Sequence, residues 1–214
     1  MIDRAIAVLA LGVIACSGRA STTPGPPPPR PLAAGSADLL GPEAFAAIQD
    51  RELRSQALFL EASRVLLHPR CVNCHPPDDN PRQGMTAMLH DPPVVRGAAD
   101  RGVPGLQCTG CHQDRNAELA RVPGAPDWHL APREMVWLGR TPRQICEQLK
   151  DTRRNGGKTL AQIQEHMAHD KLVGWGWAPG ADREPAPGSQ AQLGALVQAW
   201  IETGAVCPSE EVAR

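Results

Sequence analysis

The chain reads Cys71-Val72-Asn73-Cys74-His75 at one point and Cys108-Thr109-Gly110-Cys111-His112 at another. Both stretches have cysteine at the first and fourth positions and histidine at the fifth. Seven cysteines and seven histidines in 214 residues would produce one such pattern by chance with a probability of about 0.007. Two independent copies therefore indicate one chemistry that is used twice in the chain.

The C-x-x-C-H spacing is typical of covalent attachment of c-type haem. Two thiols three residues apart can add to the two vinyl groups on one side of a porphyrin. The histidine that follows then lies under the iron as its proximal ligand. We therefore predict two covalently attached haem c groups. Their attachment residues would be Cys71, Cys74 and His75 (the first motif) and Cys108, Cys111 and His112 (the second motif).

Two other uses of the same cysteines stay open at this point. Two C-x-x-C pairs could bind Zn²⁺ through four thiolates, and a plain disulfide framework would need no cofactor. The zinc interpretation leaves His75 and His112 without a role. It also places a thiolate site outside the cytoplasm, where thiols oxidise.

Residues 1–15 predict an export signal. Arg4 is followed by an uncharged apolar segment, Ala5–Ala15, which is too short to span a bilayer. The segment ends in Val13-Ile14-Ala15-Cys16, which resembles a bacterial lipoprotein signal, where the cysteine is lipidated and becomes the mature N-terminus. Ordinary secretion with cleavage nearby is the alternative. Either outcome predicts export to the periplasm, where c-type haem is attached.

Residues 16–41 predict a tether between a lipid anchor on Cys16 and a folded domain. Six of the eight residues from Pro24 to Pro31 are proline, which favours an extended chain of roughly 3.1 Å per residue. Ser17 follows the cysteine, which favours the outer membrane over the inner one by resemblance to lipoprotein sorting. The folded domain is predicted over residues 42–208, with a tail at 209–214.

Apolar spacing predicts a mainly α domain with long irregular loops wrapped around haem and little or no β structure. Residues 69–140 are rich in glycine, proline, aspartate and asparagine, and so long a loop in a small domain needs an outside organiser. Helices are predicted from Pro42 to His68, from Thr141 to about Asp151, over Thr159–His169, and from Ser189 to Gly204.

Each iron also needs a ligand on its distal side. His90 lies between the motifs and His129 soon after the second, both in loop-rich sequence. His68 is too close to Cys71 for its own iron but could serve the neighbouring one. His166 follows Leu160 and Ile163 at intervals of three residues, which predicts that it faces the apolar side of a helix. The candidates for bis-histidine ligation are, in order, His90, His129, His68 and His166.

Two cysteines remain after haem attachment and lipidation. Cys146 and Cys207 most simply pair in an oxidising compartment, although one of them could instead be a thiolate haem ligand. The arginine-rich stretch 153–158 could pair with haem propionates, dock a partner or form a solvated turn. Trp128, Trp175 and Trp177 are expected against porphyrin or in the core. A net charge of −1 excludes a strong case for nucleic-acid binding.

Both motifs and the export signal resemble periplasmic dihaem c-type cytochromes. Further segments resemble small bacterial proteins labelled isoquinoline 1-oxidoreductase subunit-like, a resemblance that covers roughly residues 59–208 and implies an electron acceptor beside a molybdenum hydroxylase. The segments are His68-Pro69-Arg70-Cys71, the run from Arg121 to Pro126, the run from Asp127 to Pro132, and the run from Arg183 to Gly188. The order of motifs and histidines also resembles the small dihaem subunit of periplasmic nitrate reductase.

The sequence therefore predicts a membrane-tethered dihaem electron carrier, rather than an enzyme, that works with a redox protein such as a periplasmic molybdenum oxidoreductase. A dihaem peroxidase-like enzyme is the alternative, and it needs one five-coordinate iron with an acid/base residue beside it. A sensing module, in which haem only stabilises the fold and exchanges ligands, is a third hypothesis.

Overall fold

The computed structural model of the chain describes residues 38–180 and 182–209, and this part is mainly helical. Three single helical turns and two 3₁₀ turns accompany four longer helices. The longer helices are α1 (Arg51–Leu66), α4 (Pro142–Lys150), α5 (Leu160–His169) and α7 (Gln190–Glu202). The single turns are α2 (Pro69–Val72), α3 (Cys108–Cys111) and α6 (Lys171–Gly174), and the 3₁₀ turns are Pro42–Phe45 and Trp175–Trp177.

Helices α4 and α5 begin with the same capping device. The Thr141 hydroxyl accepts a hydrogen bond from the Gln144 amide at 3.3 Å, and the Gln144 side chain accepts one from the Thr141 amide at 3.1 Å. Thr159 and Gln162 repeat both bonds at the start of α5. This reciprocal bonding satisfies amides that the first helical turn leaves without partners. Both predicted helices are confirmed to within one residue at each end.

The helix predicted from Pro42 is wrong over its first residues. The Pro42–Phe45 turn ends early, and α1 starts anew at Arg51. The cause is Asp50, whose carboxylate accepts hydrogen bonds from the amides of Glu52 and Leu53 at 2.9 and 3.0 Å. An aspartate at this position caps a helix and stands outside it.

Helix α7 carries only half of its expected capping box. The Ser189 hydroxyl accepts from the Gln192 amide at 3.2 Å, so the predicted cap is confirmed. The Gln192 side-chain amide donates instead to the Leu39 carbonyl at 3.3 Å. Leu39 is buried in the core, so the folded part begins before the predicted boundary at residue 42.

The hydrophobic core lies between α1, α4, α5 and α7. Phe59 of α1 and Trp200 of α7 are fully buried, with ring centroids 4.9 Å apart. Cys146 of α4 is also fully buried and is joined to Cys207 by the predicted disulfide, with a Cα–Cα distance of 5.6 Å. The bridge fastens the segment after α7 to α4.

Residues 73–141 form the loop region; the sequence predicted it over 69–140, and the first four residues of that range instead form the helical turn α2. Its β structure consists of two hairpins of two-residue strands. The strands are β1 (Arg82–Gln83) with β2 (Met88–Leu89), and β3 (Gly102–Val103) with β4 (Leu106–Gln107). Six large apolar residues here are 40% exposed or more: Met85, Met88, Leu89, Val95, Leu106 and Leu119. A region that leaves so much apolar surface outside the core agrees with the expectation of an outside organiser.

No helix in the described part of the chain is long and apolar enough to cross a membrane. The predicted export signal at 1–15, the lipidation site Cys16 and the tether up to residue 37 lie outside the described residues. Residues 210–214 of the predicted tail lie outside them as well.

Candidate haem-binding site

Each C-x-x-C-H motif occupies a single helical turn. In the first motif the Cys74 amide donates to the Cys71 carbonyl, and the His75 amide donates to the Val72 carbonyl, both at 3.1 Å. The second motif coincides with α3, and the His112 amide closes the turn on the Cys108 carbonyl at 2.9 Å. Residues three apart on such a turn lie on one face. The local fold therefore presents the two thiols of each motif side by side.

The histidine of the first motif is held on two sides. His75 Nδ1 lies 2.8 Å from the Met135 carbonyl oxygen. Its ring stacks on Trp137, with centroids 3.5 Å apart and planes within 5°. Because a carbonyl oxygen only accepts, Nδ1 carries the proton and Nε2 keeps its lone pair. Burial lowers the pKa of His75 to about 3, so the imidazole stays neutral.

The second motif repeats the construction with different residues. His112 Nδ1 lies 2.8 Å from the Pro123 carbonyl oxygen. The ring stacks on Trp128 with centroids 4.5 Å apart and planes within 8°. Burial again lowers the pKa of His112. Fixing Nδ1 on a carbonyl and leaving a neutral Nε2 is how metal-binding histidines are oriented in proteins.

Burial favours the thiol over the thiolate at three motif cysteines, Cys71, Cys74 and Cys108. Burial raises the pKa of Cys71 to about 12 and that of Cys74 to about 11, and it raises the pKa of Cys108. Within residues 38–180 and 182–209, no three His, Cys, Asp or Glu side chains come together as a metal site. The described part of the chain thus offers no four-cysteine cage of the kind that structural zinc needs.

A cavity of about 530 Å³ lies against the second motif. This volume is in the range of cofactor sites. Cys108, Cys111 and His112 line the cavity, and so does Cys74 of the first motif. The charge of Cys108 contributes to the raised pKa of Cys74, which places the two motifs within electrostatic reach of each other. The two predicted haem sites are therefore neighbours.

The cavity also brings two of the four distal candidates to the second motif. His90 and His112 have ring centroids 5.7 Å apart, with planes at 75°. Two imidazoles on opposite sides of one metal ion would have ring centres about 6 Å apart, given metal–nitrogen bonds of about 2 Å. His90 Nδ1 lies 2.9 Å from the Pro92 carbonyl, which leaves Nε2 for a metal. His129 lines the same cavity and contacts Asp127 through Nδ1.

The other two candidates have different surroundings. His68 caps α2, because its Nδ1 accepts a hydrogen bond from the Arg70 amide at 3.3 Å. His166 is half-exposed, with Nδ1 3.4 Å from the Asp170 carboxylate. The expectation that His166 faces the apolar side is therefore wrong, since Ile163 and Met167 are the buried residues of α5. His166 is nonetheless near enough to His75 to affect its pKa.

The arginine-rich stretch 153–158 forms a turn whose arginines are not among the residues that line this cavity. Arg153 is 89% exposed and pairs with Asp151 at 3.2 Å. Sequence reasoning missed the arginines that do line the cavity, which are Arg70, Arg82, Arg121 and Arg183. The signal available for Arg70 was its position directly before the first motif cysteine.

Two of the three expected tryptophans line this cavity. The Trp128 and Trp175 rings meet edge to face with centroids 5.0 Å apart, while Trp177 packs against the core. The donor set fits two c-type haems on chemical grounds, since each motif supplies paired thiols and one free imidazole nitrogen. Comparison of the chain with protein-family models, with curated proteins and with solved structures gave no match.

Proposed function

We propose that the chain is a periplasmic, membrane-tethered dihaem c-type cytochrome that carries electrons to or from a redox partner. The observation that carries this proposal is the matched construction of the two motif histidines. Both hold Nδ1 on a backbone carbonyl at 2.8 Å, and both stack on a tryptophan. A zinc site made of four thiolates, or a disulfide framework, would leave His75 and His112 without a role.

The cysteines and histidines of the motifs would have different roles in binding the cofactor. The thiols of Cys71, Cys74, Cys108 and Cys111 would form thioether bonds, and His75 and His112 would bind iron through Nε2. Haem, when bound, supplies an iron that cycles between ferric and ferrous states at a potential set by ligands and burial. The carbonyls of Met135 and Pro123 keep each imidazole in the tautomer that binds a metal.

On the distal side, His90 is the ligand that the geometry favours for the second motif. Its Nε2 is free and its ring lies beside that of His112. A second imidazole would keep the reduction potential below that of a methionine-ligated haem. His129 follows as the alternative in the same cavity, and His166 is the candidate whose charge acts on His75 of the first motif.

Cys74 lines the cavity of the second motif, so an electron would have a short path from one haem site to the other. The partner in this proposal is a redox protein, for example a periplasmic molybdenum oxidoreductase, as the sequence resemblance implies. The tether and the lipid on Cys16 would keep the carrier near a membrane, with the outer membrane favoured.

A haem measurement tests the proposal directly. The chain, exported in cells that carry the c-type haem attachment machinery, should give two haems per polypeptide in a pyridine haemochrome assay. A Cys108→Ala/Cys111→Ala variant should give one, and a Cys146→Ser/Cys207→Ser variant, which changes cysteines away from the motifs, should still give two. Absence of covalent haem from the unaltered chain would overturn the proposal.

One observation favours the dihaem peroxidase-like enzyme as a second candidate. The His112 ring has a second imidazole, that of His90, in edge-to-face contact. The His75 ring contacts Trp137, and within the described residues it has no ring contact with another imidazole. An enzyme of this kind requires one five-coordinate iron. Carbon monoxide binding to half of the ferrous haem, with a high-spin ferric signal, would select the enzyme. Two low-spin haems that exclude carbon monoxide would select the carrier.

A further inference from the structure

Two arginines on the cavity wall have no carboxylate of their own. Arg70 leads directly into the first motif, and its side chain is only 8% exposed. Arg183 comes from the loop before α7 and lines the same cavity. The two guanidinium groups are close enough that the charge of Arg183 lowers the pKa of Arg70, although burial is the larger cause.

The hydrogen bonds of both arginines go to backbone carbonyls. Arg70 Nε donates to the Glu184 carbonyl at 2.7 Å, and its guanidinium lies 5.6 Å from the centre of the Trp175 ring. Arg183 donates to the carbonyls of Pro179, at 3.1 Å, and Arg121. These bonds fix the orientation of both groups, and none of them brings a carboxylate to either guanidinium.

The other two arginines of the cavity wall differ in this respect. Arg82 pairs with Asp78 at 2.7 Å, and Arg121 pairs with Asp182 at 2.5 Å. Within the described residues, neither Arg70 nor Arg183 has a carboxylate at salt-bridge distance. The Glu184 carboxylate raises the pKa of Arg70 only from longer range and does not reverse the lowering.

A buried cation without a counter-charge destabilises a fold, and a second cation beside it adds repulsion. An anion between the two groups would remove both costs. Arginine suits a carboxylate best, because its planar fork donates two parallel hydrogen bonds. The group proposed for this cavity carries two carboxylates of its own, the haem propionates.

We propose that Arg70 and Arg183 bind the propionate carboxylates of the haem attached to Cys108 and Cys111. The inference rests on the proposed function, and it assigns a second role to the element of the first motif. Arg70 directly precedes Cys71, so a residue of the first haem site would stabilise the second haem. Arg70 would then connect the chain segment of the first motif to the haem of the second.

The test measures the two reduction potentials of the holoprotein separately by spectroelectrochemistry at low ionic strength. Replacing Arg70 by glutamine removes a positive charge near one iron and leaves propionate charge unpaired, so the oxidised state gains stability. We expect one of the two midpoint potentials to fall in Arg70→Gln and in Arg183→Gln, while the other moves little. In Arg70→Lys, which keeps the charge but loses the planar fork of donors, the same midpoint potential should fall less than in Arg70→Gln.

Asp78→Asn/Arg82→Gln is the matched control, because it removes an arginine of the same cavity wall together with the carboxylate that pairs with it, so the net charge does not change. It should leave both midpoint potentials unchanged. Unchanged potentials in Arg70→Gln and Arg183→Gln, with two haems attached, would overturn the inference. The inference would also be overturned if a midpoint potential fell equally in the control variant. Arg183→Gln keeps the test usable should Arg70→Gln fail to fold, since Arg183 is only half-buried.

A free carboxylate from solution is the other source of the same chemistry. Citrate, titrated into the unaltered holoprotein at constant ionic strength, should leave both midpoint potentials unchanged if the propionates already occupy the two arginines. A saturable citrate effect that disappears in Arg70→Gln would overturn the assignment to propionates. Loss of all covalent haem from the unaltered chain would instead overturn the proposed function, and with it this inference.

Discussion

At the scale of single residues, the histidines are sorted by which ring nitrogen is engaged. His75, His90 and His112 place Nδ1 beside a backbone carbonyl oxygen, which leaves Nε2 with a lone pair. His68 instead uses Nδ1 as an acceptor for a helix cap, so its neutral form carries the proton on Nε2. That form cannot bind iron through Nε2 without a change of tautomer. Hydrogen-bond direction thus ranks His68 below His90.

A variant at His90 tests this ranking. Replacing His90 by glycine would remove the sixth ligand from the iron of the second motif only. We expect half of the total haem to become high-spin and to bind carbon monoxide in the ferrous state, while covalent haem content stays at two. Optical and electron paramagnetic resonance spectra would measure the change.

His169→Gly is the matched control for His90→Gly, because His169 lies on the exposed face of α5 and pairs with Glu165 at 2.9 Å. Its spectra should equal those of the unaltered protein. An unchanged low-spin spectrum in His90→Gly would show that another residue, with His129 first in line, ligates this iron.

At the scale of elements, threonine caps decide where two of the core helices begin. Thr141 and Thr159 each bond the third helical amide, and each receives the reciprocal bond from a glutamine. These local devices are independent of haem, because both bonds close within four residues. The helices α4 and α5 can therefore be positioned in the sequence without knowledge of the rest of the fold.

Removal of one cap gives a measurable loss of stability. Thr159→Ala leaves an amide of the first turn of α5 without its acceptor, which costs about 1 kcal/mol of unfolding free energy. Urea unfolding of the holoprotein, followed by far-ultraviolet circular dichroism, would measure the loss. Thr152→Ala, in an exposed turn and at no helix cap, should stay within about 0.5 kcal/mol. Equal effects of the two substitutions would contradict the capping role.

The loop region behaves differently from the helices at this scale. Its hairpins have strands of two residues, and Met88 and Leu106 on these strands are exposed along the cavity. So short a hairpin has little stability of its own in water. Apolar side chains that line an open cavity gain contacts when a large apolar cofactor fills it. The loop region is thus the part of the chain that we expect a bound cofactor to stabilise most.

At the scale of the whole molecule, a disulfide joins two parts that are distant in sequence. Cys146 and Cys207 are 61 residues apart, and the bridge holds the segment after α7 against α4. A cross-link of this kind restricts the unfolded chain, by about 4 kcal/mol for such a loop in the entropy model. The bond therefore stabilises the helical core without any contribution from the motifs.

Removal of the disulfide tests whether the stability of the helical core is independent of the haem motifs. The Cys146→Ser/Cys207→Ser variant should lose about 2–4 kcal/mol of unfolding free energy, while its haem absorption spectrum and content stay the same. Denaturant unfolding with parallel haem absorption would report both quantities. A changed spectrum would favour the alternative in which one of these cysteines is a thiolate haem ligand.

Local chemistry explains what the sequence determined by itself. Three features depend on residues that are close in sequence: the motif spacing, the Thr141 cap and the apolar face of α7. The pairing of Cys146 with Cys207 followed because they were the two cysteines left over. The helix predicted from Pro42 does not run continuously through Asp50. The Asp50 side chain accepts hydrogen bonds from amides that a longer helix would have bonded to its own carbonyls. Such competition between neighbouring caps is hard to weigh from spacing alone.

Tertiary structure alone decided which distant groups meet. Met135 and Trp137 reach His75 from some 60 residues away, and Arg183 comes to Arg70 across more than a hundred. No periodicity encodes such pairs, because they depend on how the loops pack against the core. The sequence thus predicted the attachment chemistry proposed for each motif, whereas packing determined which imidazoles, tryptophans and charges surround it.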